Sequence, residues 1–255
     1  MDNKELEFLI QNIINEDSFK KELEESEPIS TIHYGSSTKK TDYKDIDLFI
    51  IYKKKPSKKT FIFGKDKLID INQTDIQDFF LKLSNWDIDY TDPILSGYTV
   101  KGDNSLKEKA EYYLSNNKPS FQALDYLKKR SIESLIQTNM LLIQTKYDLL
   151  LDKVSNNESV NNIKKSVLKN QQELVKNTNL EYALNQLSYC LSYDAAASRY
   201  EKGEYPLTFQ TIINNPSNKV EELLNEIKAY QKKSEAKNFS DCINYYEKAE
   251  GLISN

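Results

Sequence analysis

Cysteine and histidine are scarce in this sequence of 255 residues, and their scarcity excludes two kinds of site. The only cysteines are Cys190 and Cys242, which are too few for a disulfide framework and predict reduced thiols in the cytoplasm. His33 is the only histidine, so a zinc centre built on several histidines is excluded. Glycine-rich phosphate-binding sequences of the Walker A and Gly-x-Gly-x-x-Gly types are absent as well.

Long apolar runs and an excess of basic charge are also missing. No segment has the length and apolar character of a membrane helix, and the acidic N-terminus does not resemble a signal peptide. The formal net charge is −4, so no global positive field attracts nucleic acid or a membrane surface. These absences predict a cytoplasmic protein with no membrane partner and do not favour nucleic acid.

What the sequence does contain is a turn of small residues followed by two closely spaced aspartates. Tyr34-Gly35-Ser36-Ser37 leads through a polar loop to Asp45 and Asp47, which open the apolar segment 45–52. Residues i and i+2 of a strand point to one face, so both carboxylates are expected to reach one metal ion or to flank a two-metal site. Two charges at the mouth of an apolar strand are costly unless a cation or phosphate chemistry uses them.

A third aspartate follows in a similar apolar setting. Asp70 is flanked by isoleucines in the segment 67–72, which is expected to be a short strand. The residues between the two segments suffice for a loop and a return strand. Asp70 is therefore expected beside Asp45 and Asp47 on a neighbouring strand. The sequence thus predicts a cluster of three carboxylates near the glycine-serine turn.

This pattern resembles the active site of the nucleotidyltransferase superfamily typified by polymerase beta. The resemblance is to its bacterial small-molecule branch, the kanamycin nucleotidyltransferase and the streptomycin and spectinomycin adenylyltransferases, and it runs from about Thr31 to Asp103. The family motif is a hydrophobic residue, Gly, Gly or Ser, a loop, and Asp-hydrophobic-Asp. Lys39-Lys40 and Lys44 stand where many members carry Arg-Gly in the loop and Ser before the first aspartate.

The resemblance implies Mg²⁺-dependent transfer of a nucleoside monophosphate to a hydroxyl group, with release of pyrophosphate. The expected donor is ATP, and the expected acceptor is a small molecule such as an aminoglycoside-like antibiotic, which would make the protein an antibiotic-resistance enzyme. Asp70 would either ligate the second metal ion or accept the proton of the acceptor hydroxyl. The nucleotide-binding residues implied are Gly35, Ser36, Ser37 and Lys44, and the catalytic and metal-binding residues implied are Asp45, Asp47 and Asp70.

Two other functions fit the same residues. The acceptor could be a protein side chain or an RNA end, as in nucleotidyltransferase toxins and regulators. The chain could also be a non-catalytic nucleotide-binding regulator. Equal numbers of basic and acidic residues in 120–255 argue against RNA, and intact aspartates at all three positions argue against the regulator.

The sequence divides near Pro119 into two regions of different character, which predicts the α+β class. Residues 1–118 are expected to form a nucleotidyltransferase domain with a mixed sheet flanked by helices, and residues 119–255 a helical, acceptor-binding domain. The predicted strands are 31–34, 45–52, 60–63, 67–72 and 94–100. The predicted helices of the first domain are one within 4–25, 75–83 and 105–115, and those of the second are 120–153, 159–177, 180–201, 208–214, 217–233 and 240–252.

Three expectations concern the second domain. Helix 120–153 has its apolar residues on or near one stripe, which is typical of an amphipathic helix in a bundle. Ser217 and Ser240 are expected to be helix N-caps. For a cationic acceptor, the acidic residues expected to supply counter-charges are Asp194, Glu201 and Glu204. The stripe residues are Leu124, Leu127, Ile132, Leu135, Ile136, Met140, Ile143, Tyr147 and Leu150.

Overall fold

The computed structural model has the α+β architecture predicted from the sequence, with a mixed sheet, flanking helices and a helical C-terminal region. It describes residues 28–35, 38, 45–54, 62–63, 68–155, 162–233 and 235–253, and their side chains except those of 45, 62–63, 68–69, 150–155 and 162–177. The helix predicted within 4–25 lies outside the described residues. Within them, none of the helices combines the length and the apolar character needed to cross a bilayer.

The chain forms two compact units. The first runs to Ala123 and also includes Glu204–Thr208, and the second comprises Leu124–Gly203 and Phe209–Asn255. The strands are β1 (Pro28–Tyr34), β2 (Asp45–Tyr52), β3 (Ile62–Phe63), β4 (Leu68–Asp75) and β5 (Tyr98–Gly102). The helices are α1 (Ile76–Ser84), α2 (Ile88–Ser96), α3 (Asn104–Asn116), α4 (Phe121–Ser155), α5 (Asn162–Glu201), α6 (Phe209–Asn214), α7 (Lys219–Gln231) and α8 (Phe239–Ile253).

The sheet has five strands in the order β3-β4-β2-β1-β5, and β2 lies at its centre. Only the β2–β4 pair is parallel among the strand pairs described. On one face of β2, Phe49 packs against Phe79 of α1 and Tyr90 of α2, with ring centroids 6.2 and 5.4 Å apart. On the other face, Leu48 and Ile50 are fully buried. The apolar run of β2 therefore reflects burial on both faces.

The prediction of a strand over 94–100 is wrong in its first half. Residues 94–96 belong to α2, and β5 begins at Tyr98. The Asp87 carboxylate accepts a hydrogen bond from the Asp89 N–H (3.1 Å) and starts the helix, and buried Ile88, Thr91 and Ile94 follow one another at intervals of three residues. Pro93 is accommodated inside this helix of nine residues.

The second unit differs from the prediction at one helix and two caps. Instead of two helices, α5 is continuous from Asn162 to Glu201, because the polar residues near 177–179 include no glycine or proline to stop it. The N-caps are asparagines one and two residues away from the predicted serines. The Asn218 side chain accepts from the Glu221 N–H (3.0 Å), and the Asn238 side chain accepts from the Ser240 N–H (2.8 Å).

The predicted apolar stripe of α4 is also not the surface by which this helix packs. Leu127 and Leu135 are buried, but Ile132, Ile136, Met140, Ile143 and Tyr147 are exposed. The buried face carries small residues that let α4 approach α5 closely. The Ser131 hydroxyl lies 3.5 Å from the Cys190 sulfur, and the Thr138 hydroxyl donates to the Ala183 carbonyl (3.5 Å).

Candidate active site

Two of the predicted carboxylates lie side by side on neighbouring strands. Asp47 of β2 and Asp70 of β4 are direct partners in the parallel register. Partners in adjacent parallel strands point to the same face and are separated by about 4.8 Å, the usual strand spacing. Asp47 is half-buried and Asp70 is exposed, so the pair lies where a core strand reaches solvent. Asp45 lies two residues before Asp47 and pairs with Leu68, but its side chain is outside those described.

The glycine of the predicted turn lies against the Asp47 carboxylate. Gly35 follows β1, whose last residue Tyr34 pairs with Asp47, and it has a left-handed backbone conformation with φ +79°. A Cβ atom at position 35 would lie 2.1 Å from the Asp47 Oδ2 and 2.9 Å from its Cγ. A side chain at this position would therefore displace the carboxylate, and glycine permits both the φ angle and the approach.

The turn is closed by a threonine that the sequence patterns did not single out. The Thr38 hydroxyl donates to the Gly35 carbonyl at 2.8 Å, and the Thr38 N–H donates to the same oxygen at 3.4 Å. These bonds hold the chain in a turn directly after the strand. A serine or threonine three residues after the turn glycine is the sequence signal that could have identified it. The other predicted nucleotide-binding residues, Ser36, Ser37 and Lys44, lie outside the described residues.

A further polar side chain near the aspartates was also missed. Asn72 follows Asp70 by two positions on β4, so the two residues are on the same face of the sheet. Asn72 is half-buried and pairs with Phe49, one step deeper along the sheet than the Asp47–Asp70 pair. The alternation of side chains along β4 could have indicated Asn72, because every second residue from Asp70 lies on the same face of the sheet.

His33 is a packed strand residue on the opposite face of the sheet. It pairs with Leu48, the neighbour of Asp47, and it is fully buried. Its Nδ1 lies 2.8 Å from the Tyr98 hydroxyl on β5, and the rings meet edge to face with centroids 5.1 Å apart. Burial lowers the pKa of His33 to about 4, so the imidazole is neutral at physiological pH.

The chemistry of the donor set fits a hard cation. Carboxylate oxygens are the ligands that Mg²⁺ prefers, usually one or two of them together with water and phosphate oxygens. Asp47 and Asp70 are two such groups on adjacent strands. Among the side chains that the structure describes, no group of three histidine, cysteine, aspartate or glutamate residues is close enough to hold a metal ion. The two described carboxylates meet the usual protein contribution to a Mg²⁺ site without a third.

The acidic residues expected to bind a cationic acceptor are divided between the two compact units. Asp194 and Glu201 lie on α5 in the second unit, whereas Glu204 belongs to the segment assigned to the first. Glu201 accepts a hydrogen bond from the Lys128 ammonium at 2.6 Å, and both side chains are about half exposed. Burial raises the pKa of the Asp194 carboxyl, the nearby Lys128 lowers it, and Glu201 raises it further. The carboxylates of Asp194 and Glu201 on α5 and the ammonium of Lys128 on α4 therefore lie near one another.

Comparison with known proteins gives a weak structural similarity. No family model matches the sequence, and no curated protein matches it. Among solved structures, the chain is similar to a nucleotidyltransferase-like protein from Exiguobacterium sibiricum 255-15, with 15% sequence identity and a TM-score of 0.36. The alignment covers 98% of this chain and 74% of that one. A similarity at this level carries no argument about function, so the functional assignment depends on the residues of the site.

Proposed function

We propose that this protein transfers a nucleoside monophosphate from a nucleoside triphosphate, with ATP as the first candidate, to a hydroxyl group of a small molecule. The observation that carries the proposal is the pairing of Asp47 with Asp70 while Gly35 packs against the Asp47 carboxylate. This places two potential metal ligands beside a glycine turn able to approach phosphates closely. The aminoglycoside-like character of the acceptor is supported only by the resemblance of the sequence motif.

The residues have separate roles in the proposed reaction. The acceptor oxygen forms a bond to the α-phosphorus, the bond from that phosphorus to the bridging oxygen breaks, and pyrophosphate leaves. The turn of Gly35, Ser36 and Ser37, together with Lys44, would bind the phosphates. Asp45, Asp47 and Asp70 would hold Mg²⁺, whose charge, when it is bound, offsets the charge of the phosphates. The proton of the acceptor hydroxyl would pass to a carboxylate oxygen of Asp70 or, if Asp70 is a metal ligand, to solvent water.

Turnover with defined substrates tests the proposal. The purified chain is incubated with Mg²⁺, each nucleoside triphosphate in turn and a panel of hydroxylated antibiotics that includes aminoglycosides. Pyrophosphate release and a nucleotide-sized mass increase of the acceptor are measured. We expect both with the wild-type chain, and loss of both in Asp47→Asn with the thermal stability unchanged or raised, because a charge that repels Asp70 is removed.

The matched control is Glu108→Gln, which neutralises an exposed carboxylate on α3 that accepts a hydrogen bond from the nearby Asn104 side chain. It is expected to keep wild-type activity. Equal activity in Asp47→Asn and Glu108→Gln on a confirmed substrate would overturn the assignment of Asp47. A mass increase of the protein itself, with no modified small molecule, would move the acceptor to a protein side chain.

A further inference from the structure

One face of α4 presents large apolar side chains to solvent. The exposed apolar residues of this face follow one another at intervals of four, four, three and four positions, so they fall within an arc of about 80° on the helix. This arc lies on a different side from Leu127 and Leu135, which are buried. The members, here called the α4 stripe, are Ile132, Ile136, Met140, Ile143 and Tyr147, each between 50% and 65% exposed.

Two tyrosines of α5 extend this surface. Tyr182 and Tyr189 are exposed and seven residues apart, which places them on one side of their helix. Tyr182 lines a shallow hollow of about 320 Å³ together with Met140 of the stripe. The remaining lining residues are Gln137, Leu141 and Gln186. The apolar surface therefore continues from α4 onto α5.

The size of the surface is that of an interface between proteins. Large side chains have areas of about 150 to 250 Å² each, so the seven described above, roughly half exposed, present on the order of 700 Å². The largest apolar patch of a typical monomer is about 300 to 600 Å². A standard protein–protein interface buries about 800 Å² on each partner. The exposed area is thus enough for most of one side of such an interface.

The spacing of the α4 stripe is self-complementary. Ile132 and Tyr147 lie at equal distances on either side of its midpoint, and so do Ile136 and Ile143. The midpoint falls between Asn139 and Met140, so Met140 lies next to it. A second copy of the helix, running antiparallel about a twofold axis at this point, would place each isoleucine or tyrosine level with another stripe residue. Interfaces of this isologous kind are the commonest in homodimers.

The charges beside the α4 stripe are of both signs. Lys129 and Lys146 are basic, and Glu133 between them is acidic. A surface flanked in this way has no single-sign field to select a strongly acidic or basic partner. We propose that the α4 stripe, with Tyr182 and Tyr189, is the interface of a homodimer in which α4 pairs with its copy antiparallel about the point between Asn139 and Met140.

The mass of the full chain in solution tests the proposal. Sedimentation velocity is measured up to about 100 µM, where a contact of micromolar Kd is populated. We expect twice the chain mass for the wild type. In Ile136→Lys/Ile143→Lys, the Kd is expected to rise at least about 30-fold, the scale of a hot-spot loss. Because both residues are exposed, the helical circular dichroism is expected to stay unchanged.

The control is Leu81→Lys, which makes the same type of change at an exposed residue of α1 and should leave the dimer intact. A monomeric wild type at the highest concentration would overturn the proposal. So would a dimer that survives Ile136→Lys/Ile143→Lys, or one that is lost equally in Leu81→Lys.

Cysteine crosslinking tests the register. A mixture of Ile136→Cys and Ile143→Cys chains is expected to form a disulfide-linked dimer on mild oxidation, because these positions face each other in the antiparallel arrangement. Neither variant alone should crosslink efficiently, and Cys190 and Cys242 are buried and should not contribute. Efficient crosslinking of Ile136→Cys with itself would indicate parallel helices and overturn the proposed axis.

Discussion

At the scale of single residues, the position of the Asp47 carboxylate depends on the absence of a Cβ atom at Gly35. Gly35 leaves room for the Asp47 Oδ2 where a Cβ atom would lie only 2.1 Å away. The same glycine has φ +79°, a conformation that costs other residues about 1–2 kcal/mol. Gly203 has nearly the same backbone angle, φ +81°, but nothing lies within 4 Å of its potential Cβ. Substitutions at the two glycines can therefore distinguish the effect of backbone strain from the effect of displacing the Asp47 carboxylate.

Gly35→Ala is expected to reduce transfer by at least about 10²-fold, because it moves a proposed metal ligand as well as straining the turn. Gly203→Ala should cost a similar amount of stability from the φ angle alone, about 1–2 kcal/mol, and leave the proposed Mg²⁺ ligands in place, so any effect on transfer should come through the acceptor alone. Activity and urea unfolding of both variants are measured side by side. Full activity in Gly35→Ala would show that the position of the Asp47 carboxylate is not needed for turnover.

Asp70→Asn distinguishes the two roles proposed for this residue. If Asp70 accepts the proton, turnover should fall by about 10²-fold or more while Mg²⁺-nucleotide still binds. If Asp70 is a metal ligand, nucleotide affinity should fall as well. Calorimetry with a non-hydrolysable triphosphate measures that affinity. Wild-type turnover in this variant would exclude both roles.

At the scale of elements, α5 and α7 are joined by a buried ion pair. The Arg199 Nε donates to the Glu221 Oε1 at 2.9 Å, and its Nη2 donates to the Oε2 at 2.6 Å. Both side chains are almost fully buried, and the Ser217 N–H also donates to Oε2 at 2.7 Å. Burial raises the pKa of the Glu221 carboxyl, but the bonds from Arg199 and Ser217 outweigh it and hold the pKa below its ordinary value of 4.5.

Glu221→Gln is expected to lower the free energy of unfolding at neutral pH by about 3 kcal/mol or more, because it leaves Arg199 buried without its counter-charge. A lowered carboxyl pKa stabilises the fold above the ordinary pKa, and that contribution is lost as the pH falls through the folded-state value. The difference between wild type and variant should therefore shrink below about pH 4.5. Urea unfolding across pH measures it. Glu222→Gln, at the exposed neighbouring position, should show neither effect.

The elements also show where sequence patterns succeed and where they fail. The run from Asp45 to Tyr52 was predicted as a strand with the bounds that the structure has, because it is apolar on both faces. The segment 94–96 was predicted as strand but is helix, because the Asp87 cap acts from several residues upstream. In α4 the sequence pattern shows the apolar stripe, but it does not show that most of these residues are exposed to solvent. The packing surface instead uses Ser131 and Thr138, whose small size matters only when α5 lies against them.

At the scale of the whole molecule, the chain has two compact units of different composition. The first contains the sheet with Gly35, Asp47 and Asp70, the residues of the proposed nucleotide chemistry. The second is helical, contains α5 with Asp194 and Glu201, and was expected from the sequence to select the acceptor. If that division of roles holds, changes in the region 193–205 should act on the acceptor and spare the nucleotide.

Glu201→Ala/Glu204→Ala is therefore expected to weaken binding of a cationic acceptor by about 5-fold and to change nucleotide affinity little, since 5-fold corresponds to about 1 kcal/mol, the upper end of what an exposed charge contributes. Both binding constants are measured by calorimetry on the same preparation. Lys128, which donates to Glu201, would lose that bond, so Lys128→Ala serves as the control for the ion pair itself. Equal loss of both affinities, or of neither, would place the acceptor site elsewhere.

The class of fold and the order of chemical groups along the chain can be predicted from the sequence alone. Strand and helix periodicities, the glycine turn and the three aspartates are local patterns. Local patterns can be recognised without knowing which distant residues each segment contacts. Which of these side chains lie next to one another is seen in the tertiary structure and not in the sequence patterns. The parallel register sets Asp70 opposite Asp47, the close approach of β1 brings Gly35 onto that carboxylate, and Tyr98 reaches His33 from 65 positions away. These contacts depend on strand register and packing between distant segments, which no short stretch of sequence encodes.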